Sequence, residues 1–127
     1  MRLLTHNFLC CLECQSFPLR VRGEEVEVLP CGFDAEFLRL MLARMDYTFA
    51  VDAFNALREQ QPQLLGAAQA LPATLAEVDL SDDSADLRAV HHAVQEVAVR
   101  GGGLVCGQCG REYPIRDFIP DMVLEGK

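Results

Sequence analysis

The sequence predicts an α+β fold in which both ends of the chain build one small antiparallel sheet and a helical segment is inserted between them. Three observations predict it. Two C-x-x-C pairs, Cys11/Cys14 and Cys106/Cys109, stand at opposite ends of the 127-residue chain. Strand-like runs lie near both pairs: the N-terminal one alternates apolar and charged residues at period two, and the C-terminal ones are short and apolar. Between them lie apolar stripes at helical spacing. The expected units are residues 1–33 plus 98–127, joined at the cysteines, and an inserted helical unit, residues 34–97.

The first strand signal is "LRVRGEEVEVL". Gly23-Glu24 reads as a two-residue hairpin turn, with glycine at its first central position. Arg22 then faces Glu25, Val21 faces Val26, Arg20 faces Glu27 and Leu19 faces Val28, so charges pair on one face and apolar residues on the other. "DAEFLRLMLARM" reads as a helix capped by Asp34, with Phe37, Leu38, Met41, Leu42 and Met45 as its stripe. "TFAVDAFNALREQ" reads as a second amphipathic helix, capped by Thr48. Residues 61–80 contain Pro62, Gly66 and Pro72 and read as a loop or a short helical piece. "SDDSADLRAVHHAVQEVAV" reads as a third helix. Ser81 is its N-cap, Asp82 and Asp83 suit the positive end of the helix dipole, and Leu87, Val90, Val94 and Val97 form its buried side. Gly101-Gly102-Gly103 ends it. "GLVC", "REYPI" and "IPDMVL" are short strand-like runs, in which Pro114 and Pro120 point to edge strands or turns.

Composition narrows the function. Half of the residues are hydrophobic and 24% are charged, as in a globular chain. At this length folding buries roughly two-thirds of the unfolded surface, enough for a real core. The formal net charge of −8, with no Lys/Arg cluster, repels phosphate backbones and points to protein partners. No apolar run reaches the ~18 residues of a membrane span. In "MRLLTHNFLCCLEC", Thr5, His6 and Asn7 interrupt the apolar stretch and no small-residue cleavage site follows, so no export signal is expected. Six cysteines without such a signal point to metal ligands or reduced thiols rather than disulfides.

Two C-x-x-C pairs supply four thiolates, the donor set of a closed structural zinc site. Gly107 and Gly110 let the second pair form a tight knuckle. The first pair lacks glycine, and Cys10 with Cys14 is an alternative pairing. Reduced, buried thiols are the plainer reading of any one cysteine, and it is the one we adopt for Cys31. No thioredoxin-like βαβ pattern supports a redox role. Because the pairs are so far apart in sequence, the termini must meet.

Catalytic signals are missing. His91 and His92 are adjacent, so on a helix they point apart, one packed and one at the surface; zinc-binding histidines on a helix sit at i, i+4. No glycine-rich phosphate loop or nucleophile elbow occurs, and the acidic residues are scattered. A four-thiolate zinc has no open position for activating water.

"MRLLTHNFLCC", "FPLR", "AVHHAVQEVAV" and "LVCGQCGREYPIRDFIPDMVL", in this order, resemble the multifunctional methyltransferase activator subunit family. These are small proteins that bind several S-adenosylmethionine-dependent methyltransferases. The resemblance implies a zinc-binding domain made from both termini, with structural Zn2+ held by Cys11, Cys14, Cys106 and Cys109, and an inserted helical domain. It implies a non-catalytic, stabilising subunit of enzymes that modify tRNA, small-subunit ribosomal RNA and a translation release factor. The cofactor S-adenosylmethionine and the RNA are met only through the partner enzyme. Binding is expected as a 1:1 heterodimer, by strand pairing and apolar contact along "LLTHNFL" and "FIPDMVL". Phe8, Ile119, Pro120, Met122 and Val123 are the expected contact residues. Successive methyltransferases would exclude one another, and the protein would be cytoplasmic and nuclear. The competing reading is a free-standing zinc-ribbon nucleic-acid binder, which the negative charge opposes.

Overall fold

The computed structural model describes residues 1–13, 15, 17, 19–67 and 70–122. A short helix α1 (Leu3–His6) precedes the strand β1 (Leu19–Val28). Helices α2 (Ala35–Leu42), α3 (Tyr47–Gln60), α4 (Pro62–Leu65) and α5 (Ala85–His91) follow. A π-type turn over His92–Glu96 then leads into β2 (Val97–Cys106), β3 (Glu112–Arg116) and the two-residue β4 (Ile119–Pro120). The sheet is antiparallel in the order β1-β2-β3-β4, so strands from both ends of the chain lie side by side. No helix among the described residues is long and apolar enough to cross a membrane.

The hairpin expected at Gly23-Glu24 does not form. Residues 19–28 run as one strand whose partner is β2, from Leu19 opposite Cys106 to Val28 opposite Val97. The register slips between Gly23 and Val26, a bulge rather than a reversal. Gly23 is needed for another reason: a Cβ there would stand 2.6 Å from Leu57 Cδ2 of α3. Opposite it, Gly102 has φ +144, and a Cβ would lie 1.9 Å from the Arg22 carbonyl oxygen. Within β1 Arg22 meets Glu24 at 3.3 Å, and charges of β1 also pair across to other strands. Arg100 meets Glu25 at 3.9 Å and Glu27 at 3.7 Å, and Arg22 meets Glu112 at 3.5 Å. These pairs are exposed and each contributes about 0–1 kcal/mol.

The helices start where side chains cap them. Asp34 accepts from the Phe37 amide at 3.0 Å, as expected. The second cap is Asp46, not Thr48, accepting from Phe49 N at 3.0 Å. The third is Ser84, not Ser81, accepting from Leu87 N at 3.0 Å, because Ser81 is turned onto Asp79 through its hydroxyl at 2.6 Å. The third helix is also shorter than its pattern suggested. Leu87, Val90 and Val94 are buried on it or its π-turn, but Val97 begins β2, where Val97, Ala98 and Val99 are all buried. β-Branched residues on a doubly covered strand favour that outcome. Residues 61–80 contain α4 and one 3-10 turn, Leu75–Glu77. Of the two prolines, Pro120 lies on the edge strand, whereas Pro114 sits in β3 between β2 and β4.

Buried residues of the helices and the sheet form one apolar cluster. Leu38, Leu42, Phe54 and Leu57 join Leu19, Val21, Leu104 and Tyr113 in it. Of the α2 stripe, Leu38, Leu42 and Met45 are buried while Phe37 is exposed. The start of the chain is fixed to β2: Met1 N donates to the Val99 carbonyl at 2.6 Å, and Val99 N donates back to Met1 O at 2.7 Å.

Candidate metal centre

Cys106 is the last residue of β2, and the chain turns immediately after it. Gly110 N donates to Cys106 O at 3.0 Å and Cys106 N to Arg111 O at 2.9 Å, closing the loop. Gly110 has φ +75, which glycine adopts without strain. The amides of Gln108 and Cys109 point at Cys106 Sγ from 3.4 and 3.5 Å. Backbone N–H groups aimed at sulfur favour the thiolate, the form that binds metal.

Cys11 comes from the other end of the chain to the same place. Its Sγ stands 3.7 Å from Cys109 Sγ, and donor atoms of Cys11, Cys106 and Cys109 all lie within 4.8 Å of one another. A disulfide needs about 2.05 Å between sulfurs. Two thiolates at about 2.3 Å from one tetrahedral ion stand roughly 3.8 Å apart. The donor set and its spacing therefore fit a bound zinc-type ion. Cys10 is half-buried and is not one of the three. Cys14 lies outside the described residues.

Tyr113 of β3 holds the two ends together, a role the sequence did not disclose. It is 1% exposed. Its hydroxyl accepts from Leu12 N at 2.9 Å and stands 3.2 Å from Cys11 Sγ. With the oxygen accepting the amide, the hydroxyl hydrogen is left for the sulfur. Burial and, next, the hydrogen bond to Cys11 push the phenol above its ordinary pKa. Arg111 closes the outside, with its guanidinium 5.5 Å from the Tyr113 ring centre and 3.5 Å from Glu13.

Two further residues of "THNF" anchor the start of the chain. Asn7 is 4% exposed and exchanges two hydrogen bonds with the Asp46 backbone, Nδ2 donating to Asp46 O at 2.8 Å and Oδ1 accepting from Asp46 N at 2.9 Å. The residue that caps α3 is thus itself held from the N-terminal segment. His6 Nε2 lies 2.7 Å from the Leu19 carbonyl, and burial, opposed by that hydrogen bond, lowers the imidazole pKa.

Of the expected contact residues, Phe8 and Ile119 are 52% and 67% exposed, large values for apolar side chains. Pro120 and Met122 are half-buried, Met122 against the core. Val123 lies outside the described residues. A surface cavity of about 340 Å³ brings the two segments together, with Met1, Arg2 and Thr5 on one side and Phe118 and Pro120 on the other.

The model of a family described as Trm112p-like protein matches residues 2–117. A relative in Arabidopsis thaliana named multifunctional methyltransferase subunit TRM112 homolog B is 34% identical, over 98% of this chain and 96% of its own. One in Schizosaccharomyces pombe, multifunctional methyltransferase subunit trm112, is 36% identical over 98% and 96%. The fold is also that of a chain in the solved E. cuniculi Mtq2-Trm112 complex, described as responsible for methylation of the eRF1 translation termination factor. That match has a TM-score of 0.60 at 20% identity and covers both chains in full.

Proposed function

Because the chain belongs to the Trm112p-like protein family, we propose that it is a non-catalytic subunit that activates and stabilises S-adenosylmethionine-dependent methyltransferases. The observation that carries this reading is the near-full-length similarity to proteins named as multifunctional methyltransferase subunits. Its partners are enzymes acting on tRNA, ribosomal RNA and a translation release factor, in the cytoplasm and the nucleus. S-adenosylmethionine and RNA are bound by the enzyme.

Structural Zn2+ is held by Cys11, Cys106 and Cys109 with Cys14 as the fourth thiolate. The ion cross-links the two termini and leaves no position for substrate. The domain division, residues 1–33 plus 98–127 against 34–97, follows from that closure. The partner surface comprises Phe8, Ile119, Pro120, Met122 and Val123. β4 is an outer strand of two residues, and its outer backbone edge, which no strand among the described residues pairs with, lies beside exposed Ile119 and suits strand addition by a second sheet. A subunit that binds only the folded enzyme stabilises it by mass action. One surface of roughly 800 Å² is what a stable interface takes from each partner, so a chain of this size accommodates one enzyme at a time.

Affinity purification of the tagged chain with mass spectrometry of co-purifying proteins tests the reading. Methyltransferases in near-stoichiometric amount are expected, and Ile119→Asp lowers their recovery at least tenfold while the variant stays folded. Recovery of RNA alone, or of nothing, overturns it. A ternary complex with two methyltransferases refutes mutual exclusion.

A further inference from the structure

A second group of metal-type donors lies away from the terminal cysteines. Cys31 follows β1, His91 ends α5 and Glu96 closes the π-type turn. Their donor atoms lie within 4.8 Å of one another. His91 Nε2 is 3.8 Å from Cys31 Sγ, 3.7 Å from Glu96 Oε2 and 3.1 Å from the Cys31 carbonyl oxygen. We propose that Cys31, His91 and Glu96 form a second site for a borderline-soft divalent cation of the zinc class, with the Cys31 carbonyl beside it.

The hydrogen bonds around the group orient His91 and Glu96. His91 Nδ1 stands 2.9 Å from Gln95 Oε1. With a hydrogen on Nδ1 donated to that oxygen, the Nε2 lone pair points into the cluster, the arrangement metal-binding histidines use. There it faces a sulfur, a carboxylate oxygen and a carbonyl oxygen, all electron-rich. Such a convergence is stabilised by a cation in its midst. The separations agree with this. Around a tetrahedral ion, sulfur and nitrogen ligands stand roughly 3.5 Å apart, and nitrogen and oxygen roughly 3.3 Å, so an inward adjustment of a few tenths of an ångström completes the shell.

Glu96 is fixed through both oxygens. Oε2 accepts from Cys31 N at 3.1 Å and Oε1 is 3.0 Å from His92 Nδ1. The adjacent histidines thus divide the work: His91 is 4% exposed and aims at the site, and His92 steadies the carboxylate from outside. Solvent comes up to the group, because Cys31 helps to line a surface cavity of about 340 Å³ with Arg2, Leu4, Gly32, Phe37 and Gln95. Three protein side chains and one approach from solvent leave a position for an outside ligand, unlike a site closed by four thiolates.

The test is metal counting on the full-length chain, reconstituted with Zn2+ and measured by native mass spectrometry, with Co2+ spectra as a second readout. The wild type is expected to bind one equivalent more than Cys31→Ser, and Cys31→Ser to keep its circular dichroism spectrum. Gln95→Ala, which removes the partner of His91 Nδ1, is expected to weaken that equivalent roughly 10–100-fold without abolishing it. Equal metal content in the wild type and Cys31→Ser overturns the proposal. The difference between those two proteins does not depend on the terminal cysteines, so failure of the zinc reading there leaves this result readable. If Glu96→Gln also retains the extra equivalent, Glu96 is not a ligand and the three-donor site is refuted.

Discussion

Tyr113→Phe removes one oxygen from the place where the two ends of the chain meet. In the wild type that oxygen accepts from Leu12 N at 2.9 Å and serves Cys11 Sγ at 3.2 Å. The phenylalanine ring fills nearly the same volume, so the cost is polar and little of it is lost packing. A buried group left without its partner costs about 1–3 kcal/mol. Leu12 is itself 46% exposed, so water recovers part of its amide's loss, and Cys11 Sγ keeps its neighbour Cys109 Sγ at 3.7 Å. The expected destabilisation is about 2 kcal/mol. Tyr47→Phe is the control, because among the described residues its hydroxyl only donates, to Pro72 O at 2.7 Å, and one neutral hydrogen bond contributes about 0.5–1.5 kcal/mol. Urea unfolding followed by far-ultraviolet circular dichroism, at matched zinc, reads the difference. With a slope of about 2 kcal/mol/M, Tyr113→Phe moves the midpoint roughly 1 M lower, and further than Tyr47→Phe does. If Tyr113→Phe unfolds at or above the midpoint of Tyr47→Phe, the hydroxyl does not hold the termini and the account of the site is wrong.

Asn7→Ala breaks both bonds to the Asp46 backbone at a site 4% exposed, and is expected to cost about 2–3 kcal/mol in the same urea assay. Gly102→Ala would place a methyl carbon 1.9 Å from the Arg22 carbonyl; a loss of at least about 4 kcal/mol is expected, seen as an unfolded spectrum or a collapsed thermal transition. His6 has a folded pKa below its ordinary value of about 6.5, so the unfolded chain binds the proton more readily. Stability is therefore complete above that pH and falls as pH drops through the folded value. His6→Gln, which keeps a side-chain amide near the Leu19 carbonyl, flattens the decline. The Met1 amine, pushed down to about 6 by burial and then by Arg2, leaves a residual slope of the same sign.

The parts of the fold that were legible are those written in local chemistry. Two C-x-x-C pairs demand a shared destination whatever lies between them, and the structure brings Cys11 beside Cys106 and Cys109. Asp34 announced its helix because a cap acts only three residues away. The hairpin misled because period-two alternation is the same for one long strand and for two short ones folded together. What decided between them was a distant element, the ten residues of β2, and a glycine whose reason is Leu57 rather than a turn. The seam between α5 and β2 was hidden in a similar way. Leu87, Val90, Val94 and Val97 keep helical spacing across it, while Val97 and Val99 already keep strand spacing. Tyr113 and Asn7 were invisible because their partners are remote in sequence: Cys11 and Leu12 for one, Asp46 for the other.

Other long-range contacts share one strand. β2 pairs with β1 and β3, receives Met1 at Val99 and ends at Cys106. The segment carrying Ile119, Pro120 and Met122 leaves it through the Cys106–Gly110 turn and returns as β3, with Phe118 N bonded to Arg100 O at 3.1 Å. Asp117 and Phe118, at φ +49 and +67, form the tight turn that puts β4 on the outside. Such a backbone is strained for side-chain-bearing residues, so it persists where the surroundings fix it at both ends. The sulfur cluster fixes one end and the Met1–Val99 pairing lies beside the other. Helices inserted between β1 and β2 can therefore vary in length without moving the proposed partner surface, provided that Asn7 still finds the backbone at the start of α3.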